Sequence, residues 1–508
     1  MKKGWPLWLA GTVGVLVPGM AAAQDNVFCF QANVLGTLAE FVVTAPNREG
    51  ARLATGAALA EIARLDNVLS GYRPDSELRR LNRARQMRVS PDLFAVLRQA
   101  EELQKRSGGA FSARMGAVEA LWRAADTSPP DAARLHRAVK SAQQQPYLDH
   151  ANRIVGRPEG QVFAVDALAK GYIVDRALDA ARGTAAPNGV LINIGGDLRC
   201  HGRPGRQQNW QVGLGDARLP YVNAPIVAQV TLGNQAIATS GRGVRDRIIG
   251  GTAYGTTLSP HSGMPVTAHL AASVVAPTAA EADSLATALL VMPAEQGLLL
   301  AAQSDAQARI TQADGAVLTT TGWASLEAEP SPRPLARTAE LVNVADNDRP
   351  SLRPGGWVTD WALQIYYEAF IDLGHRASDY RSPYLVMWIS DKAGRPVRTL
   401  TIIGKDPEYQ RDNHIWWTLY GSRAQKMAEV RSGPTSLSGR YPTFWPGFDD
   451  SYSAVAPGEY LLNVETSRER GEHSFRSIPV TIGRKAFEYD IKPTADMGAI
   501  KLVFGKQP

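Results

Sequence analysis

Apolar residues follow two different periods in the part of the chain that ends near Trp323. Spacings of three and four residues predict helices at 51–69, 91–106, 172–182 and 279–290. Alternating or short continuous apolar runs predict a strand pair at 27–45 and strands at 189–199, 209–214, 225–238 and 272–275. Strands mixed with helices in this way predict an α+β domain over residues 24–326.

The pattern changes from Trp357 onward, where short alternating segments are separated by Gly, Pro and Asp. Six of the 11 tryptophans fall in this part, and large aromatic rings are more often sandwich core than binding platform. The pattern predicts an all-β sandwich domain over residues 357–508. Between the two domains, residues 327–356 are rich in proline and poor in large apolar residues, which indicates an extended linker.

Residues 1–23 have the three parts of a secretory signal. Lys2 and Lys3 are followed by a short apolar centre at 8–17 and by Ala21, Ala22 and Ala23 before Gln24. The apolar centre is short for a membrane span of about 30 Å, and no later segment is apolar for long enough. We expect an exported mature chain without a transmembrane segment, located in a bacterial periplasm.

The net charge bears on which partners the chain can bind, and the cysteine content bears on whether it contains a disulfide. Without Lys2 and Lys3 the net charge falls from +6 to +4, and no dense basic run is interleaved with aromatic residues, so nucleic acid is excluded as the expected partner. A mildly basic surface still suits a phosphate-bearing small molecule. The only cysteines, Cys29 and Cys200, are compatible with a disulfide or with two thiols, and the sequence leaves both open.

Three short segments could hold a metal ion or a nucleotide. Asp283 and Thr287 are four positions apart, so a helix places them on one face, where they could bind Mg²⁺. Alternatively, Asp283 is only a favourable negative charge near the N-terminus of the helix, and the Thr287 hydroxyl is hydrogen-bonded to a carbonyl of its own helix. The loop 237–243 could present amides to an anion or be a plain turn. Lys170 could touch a phosphate or be solvated.

Gly195 and Gly196 interrupt a buried strand directly before Asp197. Two glycines there cost stability, because they lose more backbone entropy than other residues and pack no side chain. A sharp bend would explain them, and so would a molecule lying against the backbone.

Taken in order, these segments resemble the FAD:protein FMN transferases, or ApbE-like proteins, over residues 33–323. The resemblance is carried by "LGT" (35–37), "LSGYRPDSELRRLN" (69–82), "GGAFSARMGAVEALW" (108–122), "ALAKGYIVD" (167–175), "NGVLINIGGDLRCHG" (188–202), "NWQVGL" (209–214), "AIATSG" (236–241) and "EADSLATAL" (281–289). It implies an enzyme that uses Mg²⁺ to split FAD, its substrate, releases AMP and joins FMN to a Thr or Ser of an acceptor flavoprotein, membrane-associated or not.

The same resemblance implies roles for individual residues. Asp283 and Thr287 would be the catalytic metal ligands, with the carbonyl of Ala167 as a third. The expected nucleotide-site residues are Leu35 (where the family has Met), Tyr72 stacked on the cofactor, Lys170, Gly195, Gly196, Asp197, Thr239, Ser240 and Gly241.

The chain departs from the family at its usual His-x-x-Asp-Pro-x-Thr-Gly loop. Here residues 256–263 are "TTLSPHSG", so Thr256 and Ser259 stand at the His and Asp positions, and His261 is the nearby candidate base. Ser112 and Ala164 also stand where the family has Asp. These changes favour, as the alternative function, an exported FAD-binding carrier or interaction protein with a degenerate transferase site.

The C-terminal domain resembles the exported β domains called DUF2271, through "SPYLVMWISDKAGRPVRTL" and "PGEYLLNVETSRERGEHS". This resemblance implies no reaction. No two of His375, His414 and His473 share metal-ligand spacing, so we expect satisfied or solvent-exposed histidines rather than a metal cluster.

Overall fold

The computed structural model describes residues 26–184, 187–204, 209–219, 221, 224–242, 246–250, 252–327, 356–358, 361–368, 384–403, 413–424, 431–432, 440–451, 453–467, 473–494 and 497–506. The predicted signal segment, nearly all of the predicted linker and His375 lie outside the described residues. Among the described helices, none is both long enough and apolar enough to cross a membrane.

An eight-stranded antiparallel sheet organises the first domain. Its strands, in spatial order, are β1 (Asn26–Val34), β2 (Thr37–Ala45), β6 (Gly189–Ile194), β7 (Asp197–Gly202), β10 (Ala236–Gly241), β13 (His269–Ala276), β14 (Gln307–Gln312) and β15 (Val317–Thr319). The smaller strands nearby are β3 (Gln86–Arg88), β4 (Tyr147–Asp149), β5 (Ile154–Gly156), β11 (Arg247–Ile249) and β12 (Thr252–Tyr254).

The described part of the first domain contains eight α-helices, and most of them cover one face of this sheet. They are α1 (Arg48–Leu69), α2 (Glu77–Arg83), α3 (Pro91–Arg106), α4 (Gly116–Ala124), α5 (Ala132–Ala142), α6 (Asp166–Arg182), α7 (Ala279–Val291) and α8 (Ala294–Ala302). Apolar residues of α1, α6 and α7 form one core with the sheet, and α7 is buried on nearly all sides. Helices α4 and α5 pack in a smaller separate cluster with Ile249. Side-chain caps fix where helices begin: Ser90 precedes α3, and Thr278 precedes α7.

The opposite face of the sheet is covered by the hairpin of β8 (Trp210–Gly215) and β9 (Ile226–Leu232). Trp210 and Trp323 are buried there beside Cys200. Cys29 and Cys200 are not bonded to each other: Cys29 lies on β1 and Cys200 on β7, with β2 and β6 between these strands. Three strand spacings are about 14 Å, too far for a disulfide.

The C-terminal part is a sandwich of two four-stranded sheets. One has the order β20 (Arg440–Trp445), β16 (Trp361–Glu368), β24 (Ala499–Lys506), β23 (Phe487–Ile491); the other has β18 (Pro396–Ile403), β17 (Tyr384–Asp391), β21 (Gly458–Ser467), β22 (Ser474–Ile482). Four of the six tryptophans, Trp357, Trp388, Trp416 and Trp445, are at most 1% exposed. The predicted α+β domain followed by a β sandwich is confirmed.

Three local predictions need correction. The segment at 189–199 is not one strand but the hairpin β6–β7, and the one at 225–238 is divided between β9 and β10. Helix α6 begins at Asp166, before the predicted residue 172. The sandwich also contains a helix that the alternating pattern did not predict, α9 (His414–Ala424).

Candidate functional site

The candidate site is built where α6 and α7 approach closely. A side chain at Gly171 would place its Cβ 2.2 Å from the carbonyl oxygen of Ala279, so only glycine permits this packing. Asp175, one turn further along α6, accepts hydrogen bonds from the amides of Ala279 (2.8 Å) and Ala280 (3.0 Å) at the start of α7. Arg199 on β7 donates to the same carboxylate at 2.8 Å. These contacts fix the beginning of α7 against α6.

Two buried carboxylates meet at this junction. Asp283 on α7 is 4% exposed and its Oδ2 accepts from the amide of Gly171 at 3.1 Å; Asp197 on β7 is 1% exposed and pairs with Lys170 Nζ at 2.6 Å. Burial, and then the neighbouring charge of Asp197, raise the pKa of Asp283 well above its usual value, while Lys170 opposes the shift. When both carboxylates are ionised, the single Lys170 ammonium balances only one of them, so a further cation would stabilise the group.

Hydroxyl oxygens extend this group along α7 and β10. Thr287 Oγ1 lies 3.1 Å from Ser240 Oγ and donates to the Asp283 carbonyl at 3.2 Å. Thr239 Oγ1 lies 2.9 Å from Ser273 Oγ on β13. Ala167 is in the first turn of α6, and in a regular helix its carbonyl would accept from Gly171, the amide that here has Asp283 as an acceptor.

The structure explains the two glycines as a bend. Ile194 pairs with Asp197, so Gly195 and Gly196 form a two-residue hairpin turn, at φ 59° and φ 100°. A two-residue turn with positive φ at both residues favours glycine. Asn193, the one polar residue of β6, accepts from the Gly196 amide at 2.9 Å and donates to Glu40 at 2.9 Å. The bend brings Asp197 back to Lys170.

Gly241 ends β10 at a second close approach. A Cβ there would lie 2.5 Å from the carbonyl oxygen of Leu270 in the adjacent strand β13. The chain therefore needs glycine at the end of the "ATSG" segment for strand packing, whatever the segment binds.

Two other predicted nucleotide-site residues lie in turns. Leu35 adopts φ 52° in the turn between β1 and β2, a conformation that is rare for residues with a side chain. Tyr72 is 65% exposed, and the Arg123 guanidinium lies 5.5 Å from its ring centroid. An exposed tyrosine ring can also stack on a planar ligand.

His261 belongs to a different cleft. Its backbone amide donates to Ser259 Oγ at 3.3 Å, and its ring lies against Gly109. The cleft is lined by Gln104, Gly109, Ser112, Ala142, Gln143, Pro260 and His261. Trp122 Nε1 anchors the loop by donating to the Gly263 carbonyl at 2.7 Å. Within the described chain, these contacts do not reach Asp283 or Lys170.

Residue types and contacts decide which cation the first cluster suits. Asp283 and Thr287 offer only oxygen, as does the Ala167 carbonyl, and the neighbouring Asp197 adds negative charge. Mg²⁺ prefers such hard oxygen ligands. The residues present therefore fit Mg²⁺.

Sequence reasoning missed three residues that shape this region. Asp175 holds the start of α7 in place, and Asn193 holds the β6–β7 hairpin. Glu119 lies 3.8 Å from the guanidinium of Arg123, and the same guanidinium lies over the ring of Tyr72. Burial and the nearby Asp166 carboxylate raise the pKa of Glu119 to about 7. Only Asn193 left a sequence signal, as the polar interruption of an apolar strand.

The spacing of the histidines along the sequence could not show that two of them meet in the β sandwich. His414 and His473, 59 positions apart, have ring centroids 4.1 Å from each other, so they are clustered despite lacking ligand spacing. Folding brought them together from α9 and from the residue before β22.

Comparisons with known proteins agree with this architecture. Residues 35–310 match the ApbE family, and residues 371–499 match the family described as "Predicted periplasmic protein (DUF2271)". The FAD:protein FMN transferase of Haemophilus influenzae is 27% identical over 250 residues, which cover 47% of this chain and 72% of that protein. The one from Treponema pallidum is 26% identical over 329 residues, covering 59% and 89%.

Solved structures of low identity share the fold. The ApbE protein from Thermotoga maritima superposes with a TM-score of 0.55 at 23% identity, covering 60% of this chain and 100% of that one. The apo form of the Pseudomonas stutzeri flavinyl transferase ApbE gives 0.52 at 24% identity, covering 60% and 99%.

Proposed function

Because the chain belongs to the ApbE family, we propose that it transfers FMN from FAD to a Thr or Ser of an acceptor protein, with Mg²⁺, and releases AMP. The observation that carries this proposal is the buried group at the α6–α7 junction. There, two carboxylates face one lysine, with a hydroxyl beside them. Such a group suits a cation and a phosphorylated substrate, because burying a second carboxylate beside a single lysine costs stability that a bound cation would offset.

The reaction is a displacement at phosphorus. The acceptor hydroxyl oxygen forms a bond to the phosphorus on the FMN side of the FAD pyrophosphate. The bond from this phosphorus to the bridging oxygen breaks, AMP leaves with that oxygen, and the hydroxyl proton passes to water. Lys170 brings positive charge beside the developing negative charge, and Asp197 holds it there at 2.6 Å. The exposed ring of Tyr72 offers a stacking surface for FAD.

Asp283, Thr287 and the Ala167 carbonyl would hold the Mg²⁺. When bound, the ion supplies neutralisation of the pyrophosphate charge. Asp283 is fixed for this role by the Gly171 amide, and Thr287 by the Asp283 carbonyl and Ser240. The glycines at 195 and 196 let the hairpin turn tightly enough to keep Asp197 at the junction.

The chain's own residues supply little general-base help. Thr256 and Ser259 are poor bases near neutral pH, and His261 faces the cleft beside Gly109. General acid–base help is typically worth about 10²- to 10⁴-fold, so we expect a slow transferase. This observation also favours the second candidate, an FAD-binding carrier without turnover.

We further infer that the protein acts after export, in the periplasm. The signal-like segment 1–23 supports this, and so does the description of the matched C-terminal family. The β sandwich would then recruit the acceptor flavoprotein, free or at a membrane.

Intact-mass measurement tests the proposal. The mature chain is incubated with FAD, Mg²⁺ and a Ser-Gly-Ala-Thr peptide, and the peptide should gain one FMN while AMP appears. Asp283→Ala should abolish both, whereas Asp179→Ala, an exposed aspartate on α6, should not. FAD binding with no transfer would instead establish the carrier, and neither binding nor transfer would leave an interaction protein.

A further inference from the structure

We propose that His414, Glu465 and His473 form a binding site for a divalent transition-metal ion in the β sandwich. The three residues come from separate segments: the first residue of α9, strand β21, and the position before β22. One ligand atom of each lies within 4.8 Å of the others. The ion would therefore join the start of α9 to the β21–β22 hairpin.

Glu465 is the fixed member of this site. Its side chain is 0% exposed, and its two oxygens accept from the backbone amides of Ile415 (3.0 Å) and Trp416 (2.8 Å). An ionised carboxylate offers about four lone-pair positions, so these amides leave acceptor capacity for another ligand. That capacity faces His473, whose Nε2 lies 2.6 Å from Glu465 Oε1.

Without a metal ion, Glu465 could serve to bind the first amides of α9 and to pair with His473. Those two roles do not explain why His414 lies beside them. The His414 ring lies 4.1 Å from the His473 ring, with 32° between the planes. Two protonated imidazoles at that separation repel each other, whereas two neutral imidazoles can share one cation as ligands. A bound metal ion gives the stacked pair and the buried carboxylate a common partner.

The ligand set selects the class of metal. Two imidazoles and one carboxylate suit zinc and related first-row ions, which distinguishes this site from the oxygen-only group of the first domain. Metal–ligand bonds of about 2.0–2.2 Å place tetrahedral ligand atoms about 3.4 Å apart. The ligand atoms lie within 4.8 Å of one another, and both histidines are exposed.

The site is exposed to solvent and borders a cavity. His414 is among the residues that line a cavity of about 520 Å³ with Trp388, Leu461, Asn463 and Phe475. Three protein ligands leave at least one coordination position for water or a small donor, as in metal sites that bind ligands. The structure thus assigns the β sandwich an accessible metal centre independent of the flavin site.

Cobalt absorption tests this proposal, because Co²⁺ is coloured when bound by imidazole and Mg²⁺ does not displace it. The metal-free mature chain, in excess Mg²⁺, is titrated with Co²⁺ and then with Zn²⁺. We expect one equivalent of Co²⁺ with a visible spectrum, its displacement by Zn²⁺, and a higher melting temperature with Zn²⁺.

His414→Ala and His473→Gln should each weaken Co²⁺ binding by more than roughly 10- to 100-fold. That range is typical when the residue removed contacts a metal ligand but not the metal itself. His136→Ala, an exposed histidine on α5, is the matched control and should bind like the parent. His473→Gln keeps a polar partner for Glu465, and the melting temperature of each metal-free variant reports whether it is folded. Unchanged affinity and spectrum in both variants, or no Co²⁺ binding by the parent chain, would overturn the proposal.

Discussion

Gly196 shows how a single residue sets the path of the chain. At φ 100° it is in a region that residues with a Cβ rarely adopt. We expect Gly196→Ala to lower the free energy of unfolding by about 1–2 kcal/mol. Gly183, at φ −71° with its nearest neighbour 3.5 Å from an added Cβ, is the control, and Gly183→Ala should be nearly neutral. Urea denaturation measures both, and equal effects would contradict the strain argument.

Glu119 makes stability depend on pH. Its pKa in the folded chain is about 7, against an ordinary 4.5, because its side chain, 32% exposed, is partly removed from water and lies near the Asp166 carboxylate. The folded state therefore holds a proton that the unfolded state has lost between about pH 4.5 and pH 7, so this residue's contribution to stability falls as pH rises through that window. Glu119→Gln removes the ionising group and should add about 1–2 kcal/mol of unfolding free energy at about pH 8 but little at about pH 4.

Denaturation curves of Glu119→Gln at the two pH values measure this difference. Glu102→Gln, on the exposed end of an ion pair with Arg98, is the matched control and should show no such pH-dependent gain. A gain for Glu119→Gln that is equal at both pH values would rule out the titration and point to packing instead.

Helix packing at the element scale depends on Gly171. An alanine Cβ at this position would lie 2.2 Å from the carbonyl oxygen of Ala279, so α6 and α7 must separate. We expect Gly171→Ala to cost about 3 kcal/mol or more and to displace Asp283 from the Gly171 amide. Gly56→Ala on α1 has nothing within 4 Å of its added Cβ and should be neutral or stabilising.

Thermal unfolding with and without Mg²⁺ separates these outcomes. Gly171→Ala should lower the melting temperature and lose any stabilisation by Mg²⁺, whereas Gly56→Ala should keep it. A Gly171→Ala protein with parental stability would show that the two helices are not held at contact distance.

The sequence could predict those elements whose signals are local. The i, i+4 spacing put Asp283 and Thr287 on one helix face, and periodicity placed α3 and α7 to within a residue. Helix α9 was missed because its aromatic residues favour strands, and Glu465, about fifty positions away, binds its first amides. Long-range contacts of this kind leave no periodic signal.

The same limit applies to the candidate site. Lys170 and Asp197 belong to a helix and a strand that are adjacent only after folding, and the His414–His473 pair arises in the same way. Local spacing could therefore suggest Asp283 and Thr287 as a pair of metal ligands, a hypothesis, but it could not reveal the second carboxylate beside Asp283.

At the scale of the whole molecule, the two domains are in contact. Strand β19 (Arg431–Ser432) pairs in parallel with β8 of the first domain. Tyr221 of the first domain is 6% exposed, stacks on Phe444 with centroids 4.8 Å apart, and donates to Gln364 Oε1 at 2.8 Å. A composition-based linker prediction could not reveal these contacts, because it describes only the connection between the domains.

Tyr221 is the residue that tests this coupling. Tyr221→Ala removes the stacked ring and should cost about 2–4 kcal/mol, so that calorimetry shows the two domains unfolding in separate transitions. Tyr221→Phe keeps the ring, and Gln364 Oε1 still accepts from Tyr366 at 2.9 Å, so its cost should be about 1 kcal/mol or less. Tyr147→Ala, at a 58% exposed tyrosine of the first domain, is the control and should leave the unfolding profile unchanged. If Tyr221→Ala and Tyr147→Ala gave the same profile, the Tyr221–Phe444 stack would not couple the domains, and the pairing of β19 with β8 would be the next contact to test.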